Sequence, residues 1–420
     1  MGKTIIEKIL GRTSGMDVRA GDLAIAAVDF ALGGVDSSTP LTAQVFREIG
    51  APRLFDAGRV AFAVDHATPA PNAAIAAMQQ ATRDFAREMG AHLIEEGDGI
   101  CHQVMLERGY VRPGMMIPGA DSHACTYGGV NAFGTGIGST DMAAVLATGQ
   151  MWVRVPESLR VVLHGRLRPG ATAKDLVLRI IGDIGADGAN YEAVEFGGDG
   201  LAALSIGERC TVANMAIEMG AKTGIFEADA ATDAWVRARS TGPYEPVAPD
   251  RDARYRLVRE YELESIGPVV ARPGRVDDVV PIGTVAGTRV TRAFIGTCTN
   301  ARLEDLRDAA RALRGRRVHP GVRLLLIPAS RQVLLDAMAE GVLQTFLEAG
   351  AVLAPPGCGP CPGIGVGVPS DGDVVIASMN RNFKGRMGNP KADIYLASPV
   401  AVAAAAVAGR IVDPREVLGS

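Results

Sequence analysis

Short apolar runs closed by Gly, Pro or Asp alternate along this chain with stretches in which apolar side chains return every third or fourth position. Those are the periods of strands and helices. Residues 59–64 read as a buried strand ending on Asp65-His66. From Pro71 onward Ile75, Met78, Ala81, Phe85 and Met89 recur at helical spacing until Gly90 stops the helix. A short strand at 92–94, a helix over 99–107 and a strand at 115–118 keep the rhythm, and a helix opens in the glycine run Gly134-Thr-Gly-Ile-Gly138 and stops at Gly149.

The rhythm resumes after Val155-Pro156 with a strand at 159–163 and a helix opening at Thr172, where Thr172 and Asp175 form a capping box. Ser205 and Glu208 form a second one, and the helix they start carries Asn214 and Glu218 four residues apart. Residues 241–289 are rich in Pro, Arg and Asp with weak periodicity and are expected to be a long connection. The last stretch gives strands at 290–296, 322–327, 351–353 and 374–378, helices at 303–313 and after Ser330, and a helix at 400–408 capped by Ser398-Pro399. Repeated βα alternation predicts an α/β protein with parallel sheets. The breaks in pattern divide it into units at 1–156, 157–289 and 290–420.

Composition narrows the function classes. A chain of 420 residues exceeds what one core normally holds. Net charge of −4 and 5% aromatic residues offer neither the basic patch nor the stacking platform of a nucleic-acid binder. Six cysteines are no disulfide framework, the first residues lack a signal-peptide apolar core, and the longest apolar run, 400–408, is too short to cross a bilayer. A cytoplasmic protein is expected. Cys101, Cys125 and Cys210 are expected to pack as small buried hydrophobes.

Candidate chemistry gathers beyond the ends of predicted strands, where ligands bind in open α/β sheets. Cys298 follows the strand at 290–296, and Cys358-Gly-Pro-Cys361 lies 358 − 298 = 60 residues on, after the strand at 351–353. Three thiolates suit an iron–sulfur cluster with one open iron better than a structural zinc, which takes four closed ligands. A tight loop of half-buried thiols or a thioredoxin-like redox pair remains open for the CxxC alone. Asp65-His66 and Asp121-Ser122-His123 look like a proton-handling site, since a carboxylate fixes an imidazole's tautomer and raises its basicity. A zinc site built from His66, His102 and His123 is the rival. The glycine run at 134–138 is not a dinucleotide fingerprint; its amides either meet an anion at a helix N-terminus or allow close packing. Arg381 and Arg386, five apart in a glycine-containing loop, can clamp carboxylates bidentately.

Seven stretches in order carry a resemblance to a known family: Val64-Asp-His66, Cys101-His-Gln103, Gly119-Ala-Asp-Ser-His123, Ala213-Asn-Met215 with Glu218-Met-Gly-Ala221, Gly296-Thr-Cys-Thr-Asn300, Pro356-Gly-Cys-Gly-Pro-Cys361 and Asn380-Arg-Asn-Phe-Lys-Gly-Arg386. On these the chain resembles the aconitase superfamily, in particular its large-subunit branch of 3-isopropylmalate dehydratase and homoaconitase. The resemblance implies three α/β/α domains around a central 4Fe–4S cluster held by Cys298, Cys358 and Cys361. It implies acid–histidine pairs Asp65 with His66, Asp121 with His123 and His102 with Glu218. It implies that Asn214, Asn300 and Asn380 line the cluster, that Ser122, Arg381 and Arg386 bind substrate, and that the reaction is a dehydration and rehydration isomerising a hydroxy acid. The chain departs from the family pattern after Cys361, where residues 362–369 carry no charged residue. It also ends at Ser420 without the family's swivelling domain, whose serine base is expected on a separate small subunit.

Overall fold

The computed structural model describes residues 2–419. Three predominantly parallel sheets organise them. The first has five parallel strands in the order His92–Ile94, Val60–Ala63, Ala31–Val35, Met116–Gly119 and Phe133–Gly136. Val60–Ala63 is buried throughout, as both faces of a parallel sheet require. Helix Ala73–Met89 crosses from it to the edge strand, started by Asn72, whose side chain accepts from the Ile75 amide, and ended by Gly90 at φ 68°.

The second sheet is parallel, in the order Thr223–Phe226, Ala193–Gly197, Ser158–His164 and Leu257–Glu262. Helix Ala173–Ile184 lies against it, and both expected capping boxes form, Thr172 with Asp175 and Ser205 with Glu208. A cap of this kind contributes about 1 kcal/mol. The third sheet has seven strands, ordered Val279–Pro281, Val269–Ala271, Asp393–Leu396, Val374–Ala377, Arg292–Ile295, Arg323–Leu326 and Val352–Leu353. Its last five strands are mutually parallel, so their carboxyl ends share one edge. On one face the alanine-rich helix Pro399–Ala408 packs closely on Leu303–Leu313. On the other, Phe294, Val375 and Met379 join the core around helix Ala173–Ile184, welding the second and third sheets together.

Three expectations change. Residues 241–289 are not merely a connection: Leu257–Glu262 completes the second sheet, and Val269–Ala271 and Val279–Pro281 extend the third. Leu257–Glu262 buries only Tyr261 completely, so no apolar alternation marked it. The glycine run at 134–138 begins in a strand, Phe133–Gly136, and Gly134 and Gly136 serve packing, while Gly138 is the N-cap of helix Ser139–Thr148. A Cβ on Gly134 would lie 2.0 Å from the Ala124 carbonyl oxygen. The helix carrying Asn214 and Glu218 changes at Asn214 from α to a 3₁₀ segment, Met215–Met219, so the two side chains do not keep α-helical spacing.

Candidate active site

Cys298 is set by the shared edge of the third sheet. Beyond Arg292–Ile295 the Gly296 amide donates to Ser378 Oγ at 3.1 Å, and Thr297 turns the chain with φ 83°. A non-glycine residue there is strained and must be held by its surroundings. Arg302 supplies the restraint: Nη2 donates to the Cys298 carbonyl at 2.9 Å, Nη1 to the Thr299 carbonyl at 2.8 Å and to Thr211 Oγ1 at 3.3 Å, and Nε to Gln103 Oε1 at 2.9 Å. One guanidinium therefore ties the cysteine loop to both other sheets' units.

Cys358 and Cys361 come from the loop after Val352–Leu353. The Cys358 amide donates to the Asp65 carbonyl at 2.9 Å, joining this loop to the end of the first sheet. Glycine is required for that approach: a Cβ on Gly357 would fall 2.5 Å from Thr68 Oγ1, and one on Gly359, at φ 57°, would fall 2.3 Å from Ile327 Cδ1. The three thiols are 5–7% exposed and unbridged. Polar groups converge on their sulfurs: Asn214 Nδ2 at 3.2 Å and Asn380 Nδ2 at 3.7 Å from Cys298, and Arg386 Nη2 at 3.3 Å from Cys361. Burial pushes the Cys298 thiol up to about 12, so this sulfur reaches the thiolate state only against a cation.

The histidines form one connected array with their acids, in which the expected pair Asp65 with His66 forms and the other two pairs exchange partners. His66 Nδ1 lies 2.8 Å from Asp65 Oδ1 and its Nε2 3.2 Å from Asp121 Oδ2. Asp121 Oδ1 is 2.7 Å from His102 Nε2, and Tyr127 Oη is 3.2 Å from His102 Nδ1. His123 reaches Glu218 instead, Nε2 to Oε1 at 3.0 Å, and Arg381 Nε donates to both Glu218 oxygens at 2.9 and 3.0 Å. The exchange has a local cause. Asp121 caps the turn Ser122–Val130 by accepting the His123 amide at 2.8 Å, which keeps its carboxylate on the His66 and His102 side while the His123 ring points to Glu218. The rival zinc triad is not assembled, since Asp121 stands between the His66 and His102 rings; among the described residues only Asp65, His66 and Cys358 bring metal-ligating atoms within 4.8 Å of one another.

Charge follows this geometry. Burial raises the Asp121 carboxyl, but hydrogen bonds with His102 and His66 outweigh it and hold the group well below the usual carboxylate range. Burial opposes a charged His66, yet the neighbouring Cys358 and Asp65 charges and the Asp121 bond hold its imidazolium well above the usual value. Burial and the Arg381 charge lower His123, leaving it neutral with Nε2–H toward Glu218 and Nδ1 as an acceptor 3.4 Å from Ser122 Oγ. One histidine thus stores a proton between two carboxylates, and another is neutral with its Nδ1 turned to Ser122.

These groups line one cleft of about 490 Å³, which holds all three cysteines, the three histidines and both arginines. Arg381 spends Nε on Glu218, and its two Nη groups make no hydrogen bond among the described residues. Arg386 Nε is buried without a partner. Asn300 lies one layer behind: its Nδ2 donates to Asp305 Oδ1 at 2.9 Å. Cys101, Cys125 and Cys210 are buried in the core or against backbone, and burial raises all three thiols.

Comparison with known proteins agrees with this arrangement. The aconitase family (aconitate hydratase) matches residues 17–288 and 283–409. The chain belongs to the aconitase family. Membership makes it a hydro-lyase, and enzymes of this family carry iron–sulfur clusters. The chain is 49% identical over 419 residues to the 3-isopropylmalate dehydratase large subunit 2 of Archaeoglobus fulgidus, covering 100% of both chains. It is 44% identical to the 3-isopropylmalate dehydratase large subunit 1 of Thermotoga maritima, covering 99% of each. It is 45% identical to the probable methanogen homoaconitase large subunit of Methanothermobacter thermautotrophicus, covering 99% of this chain and 98% of that one.

Three residues that stand behind this cleft and hold its lining carried no sequence signal as site residues. Arg302 follows the cysteine motif without belonging to a recognisable pattern. Tyr127, fully buried, sets the His102 tautomer from a segment that reads only as apolar. Lys174 read as a member of a capping box, yet its ammonium is buried under the loop that bears Arg381.

Proposed function

We propose that this chain is the large subunit of a 4Fe–4S hydro-lyase acting on 3-isopropylmalate. The convergence of Cys298, Cys358 and Cys361 in one cleft with a histidine held between two carboxylates carries the reading. The donor set fits a cluster: three free thiols sit at one sheet edge, with amide and guanidinium N–H groups toward their sulfurs and room between them. When bound, a cluster with three cysteine ligands supplies one open iron as a Lewis acid for a hydroxyl and a carboxylate.

The remaining work falls to the chain. His66 is the general acid, its proton held at Nε2 against Asp121 until a leaving hydroxide accepts it. Asp65 keeps the ring oriented through Nδ1. Asp121 orients His66 and His102 at once, and His102 and neutral His123 hold water in place. The free Nη groups of Arg381, and Arg386, bind substrate carboxylates by two-point contacts, with Ser122 assisting. Asn214 and Asn380 donate to cysteine sulfur, and Asn300 backs them. Three sheet units around the cleft are this reading's domains.

No base for the proton α to a carboxylate stands in the cleft, where every carboxylate is tied to a histidine or arginine. Relatives named as large subunits support a second chain, and we assign it the swivelling domain with the missing serine base. The free thiols suit the cytoplasm, and no helix among the described residues is long and apolar enough to cross a membrane.

The test is anaerobic reconstitution with iron and sulfide, addition of a small subunit from the same organism, and assay against 3-isopropylmalate and homoaconitate. Turnover of 3-isopropylmalate is expected. Preferential turnover of homoaconitate would replace the substrate, and stoichiometric zinc without iron in protein purified without oxygen would remove the cluster.

A further inference from the structure

Lys174 is fully buried in the first turn of helix Ala173–Ile184. A cation at a helix N-terminus opposes the macrodipole, and an ammonium deprived of water is costly. No carboxylate pairs with it among the described residues. Asp175 is spent on the Val269 amide and on Thr172, and Asp305 on Asn300 and the Ala301 and Arg302 amides. Burial pulls the ammonium down to about 7, against the Asp305 and Asp175 charges that favour it.

Its hydrogen bonds lead elsewhere. Nζ donates to the Ser378 carbonyl at 2.7 Å and the Met379 carbonyl at 2.6 Å, and lies 3.5 Å from Asn300 Oδ1. Ser378 and Met379 are the two residues between strand Val374–Ala377 and Asn380-Arg381. Asn380 Nδ2 in turn donates to Thr299 Oγ1 at 3.1 Å and faces Cys298 Sγ, while Arg381 holds Glu218. The three ammonium hydrogens thus gather acceptors from the Asn380 loop and from the Cys298 loop, on a helix that belongs to neither. A methionine or leucine would spare the buried charge but leave the Ser378 and Met379 carbonyls without a donor, so what the lysine contributes here is its hold on these two loops.

We propose that Lys174 is a positioning residue: by holding the Ser378 and Met379 carbonyls and the Asn300 side chain on one ammonium, it sets where Asn380 and Arg381 point in the cleft. The inference rests on the assignment of that cleft above. It concerns aim, and the substrate never touches the lysine.

The test compares Lys174→Met with wild type in the iron-loaded two-chain enzyme, with 3-isopropylmalate as probe. The variant should keep its iron content while kcat/KM falls about tenfold or more, with KM rising, because misaimed carboxylate contacts weaken binding and orientation together, separately from any stability lost with the two unsatisfied carbonyls. In an Arg381→Lys background the same change should add less than about twofold, since groups acting as a unit are not additive. The isolated large chain provides a readout without substrate: the EPR spectrum of its one-electron-reduced cluster should shift in Lys174→Met as the Asn380 amide leaves the sulfurs. Wild-type kinetics in the variant, full additivity with Arg381→Lys, or an activity loss that only tracks lost iron would overturn the proposal. If the wild-type complex does not turn over 3-isopropylmalate, the substrate assignment fails, and the EPR comparison decides the lysine alone: an unchanged spectrum overturns it.

Discussion

At the scale of single residues, the cleft is defined by which donors are spent and which are free. Arg386 gives Nη2 to Cys361 and leaves Nε buried without a partner, so a carboxylate has a prepared position there. Lysine keeps the charge but not the fork. Arg386→Lys should lower kcat/KM by about 10²-fold or more with iron content close to wild type, because bidentate guanidinium contacts are not reproduced by a point charge. Near wild-type kinetics would make Arg386 a bystander. Arg302 makes a contrasting case, with donors spent on Gln103, Thr211, Thr299 and Cys298. Arg302→Met leaves those acceptors unsatisfied and should cost about 2–4 kcal/mol of stability, read as an earlier urea midpoint in the iron-free chain. An unchanged midpoint would show that the three units are held together elsewhere.

At the scale of elements, helix Leu303–Leu313 opens with Glu304 and Asp305 in its first turn, favourable to the macrodipole but close to Glu208 of the neighbouring capping box. Burial first, and the Asp305 charge second, push the Glu304 carboxyl from 4.5 up to about 7, despite the bond from Ser205 Oγ at 2.8 Å. The folded state therefore keeps a proton between pH 4.5 and about 7 that the unfolded chain has released. Where the native state binds more protons, stability falls as pH rises, and the full penalty is present above that window. Glu304→Gln should raise the melting temperature at pH 8, by about 1–3 kcal/mol in stability, and leave it unchanged near pH 4.5. An equal gain at both pH values would trace the effect to packing. The 3₁₀ segment Met215–Met219 belongs to this scale too, since it turns Glu218 out of α-helical register and into bonding distance of His123 and Arg381.

For the whole molecule, the units built on the three sheets meet at a common cleft, and the cysteine loops bridge them: Cys358 to Asp65 of the first unit, Cys298 through Asn214 to the second. The arrangement brings a stored proton and two carboxylate anchors, but no free base. The iron-loaded chain alone should turn over 3-isopropylmalate about 10²–10⁴-fold more slowly than the complex with its small subunit, the range that general base catalysis contributes. Full turnover by this chain alone would require a base among its own residues.

The order of elements was legible because burial imposes its period on the chain: the helices Leu303–Leu313 and Cys101–Glu107 and the strand His92–Ile94 fall where apolar spacing puts them. The cysteines, the Asp-His pairs and the Asn-Arg loop were legible because their chemistry requires rare residue types at short spacing. The sequence could not say that Asp121 serves His66 and His102 while His123 turns to Glu218. Pairing is decided by which side chains meet across 55 or 95 residues, and by a capping bond that fixes the carboxylate's direction. Nor could it mark strands 257–262, 269–271 and 279–281, whose places come from neighbouring strands and not from alternation of their own. Lys174 and Arg302 are the clearest cases. A lysine in a first turn and an arginine after a loop read as surface residues, and only the packing of three sheets around one cleft removes water from them and turns their hydrogen bonds inward.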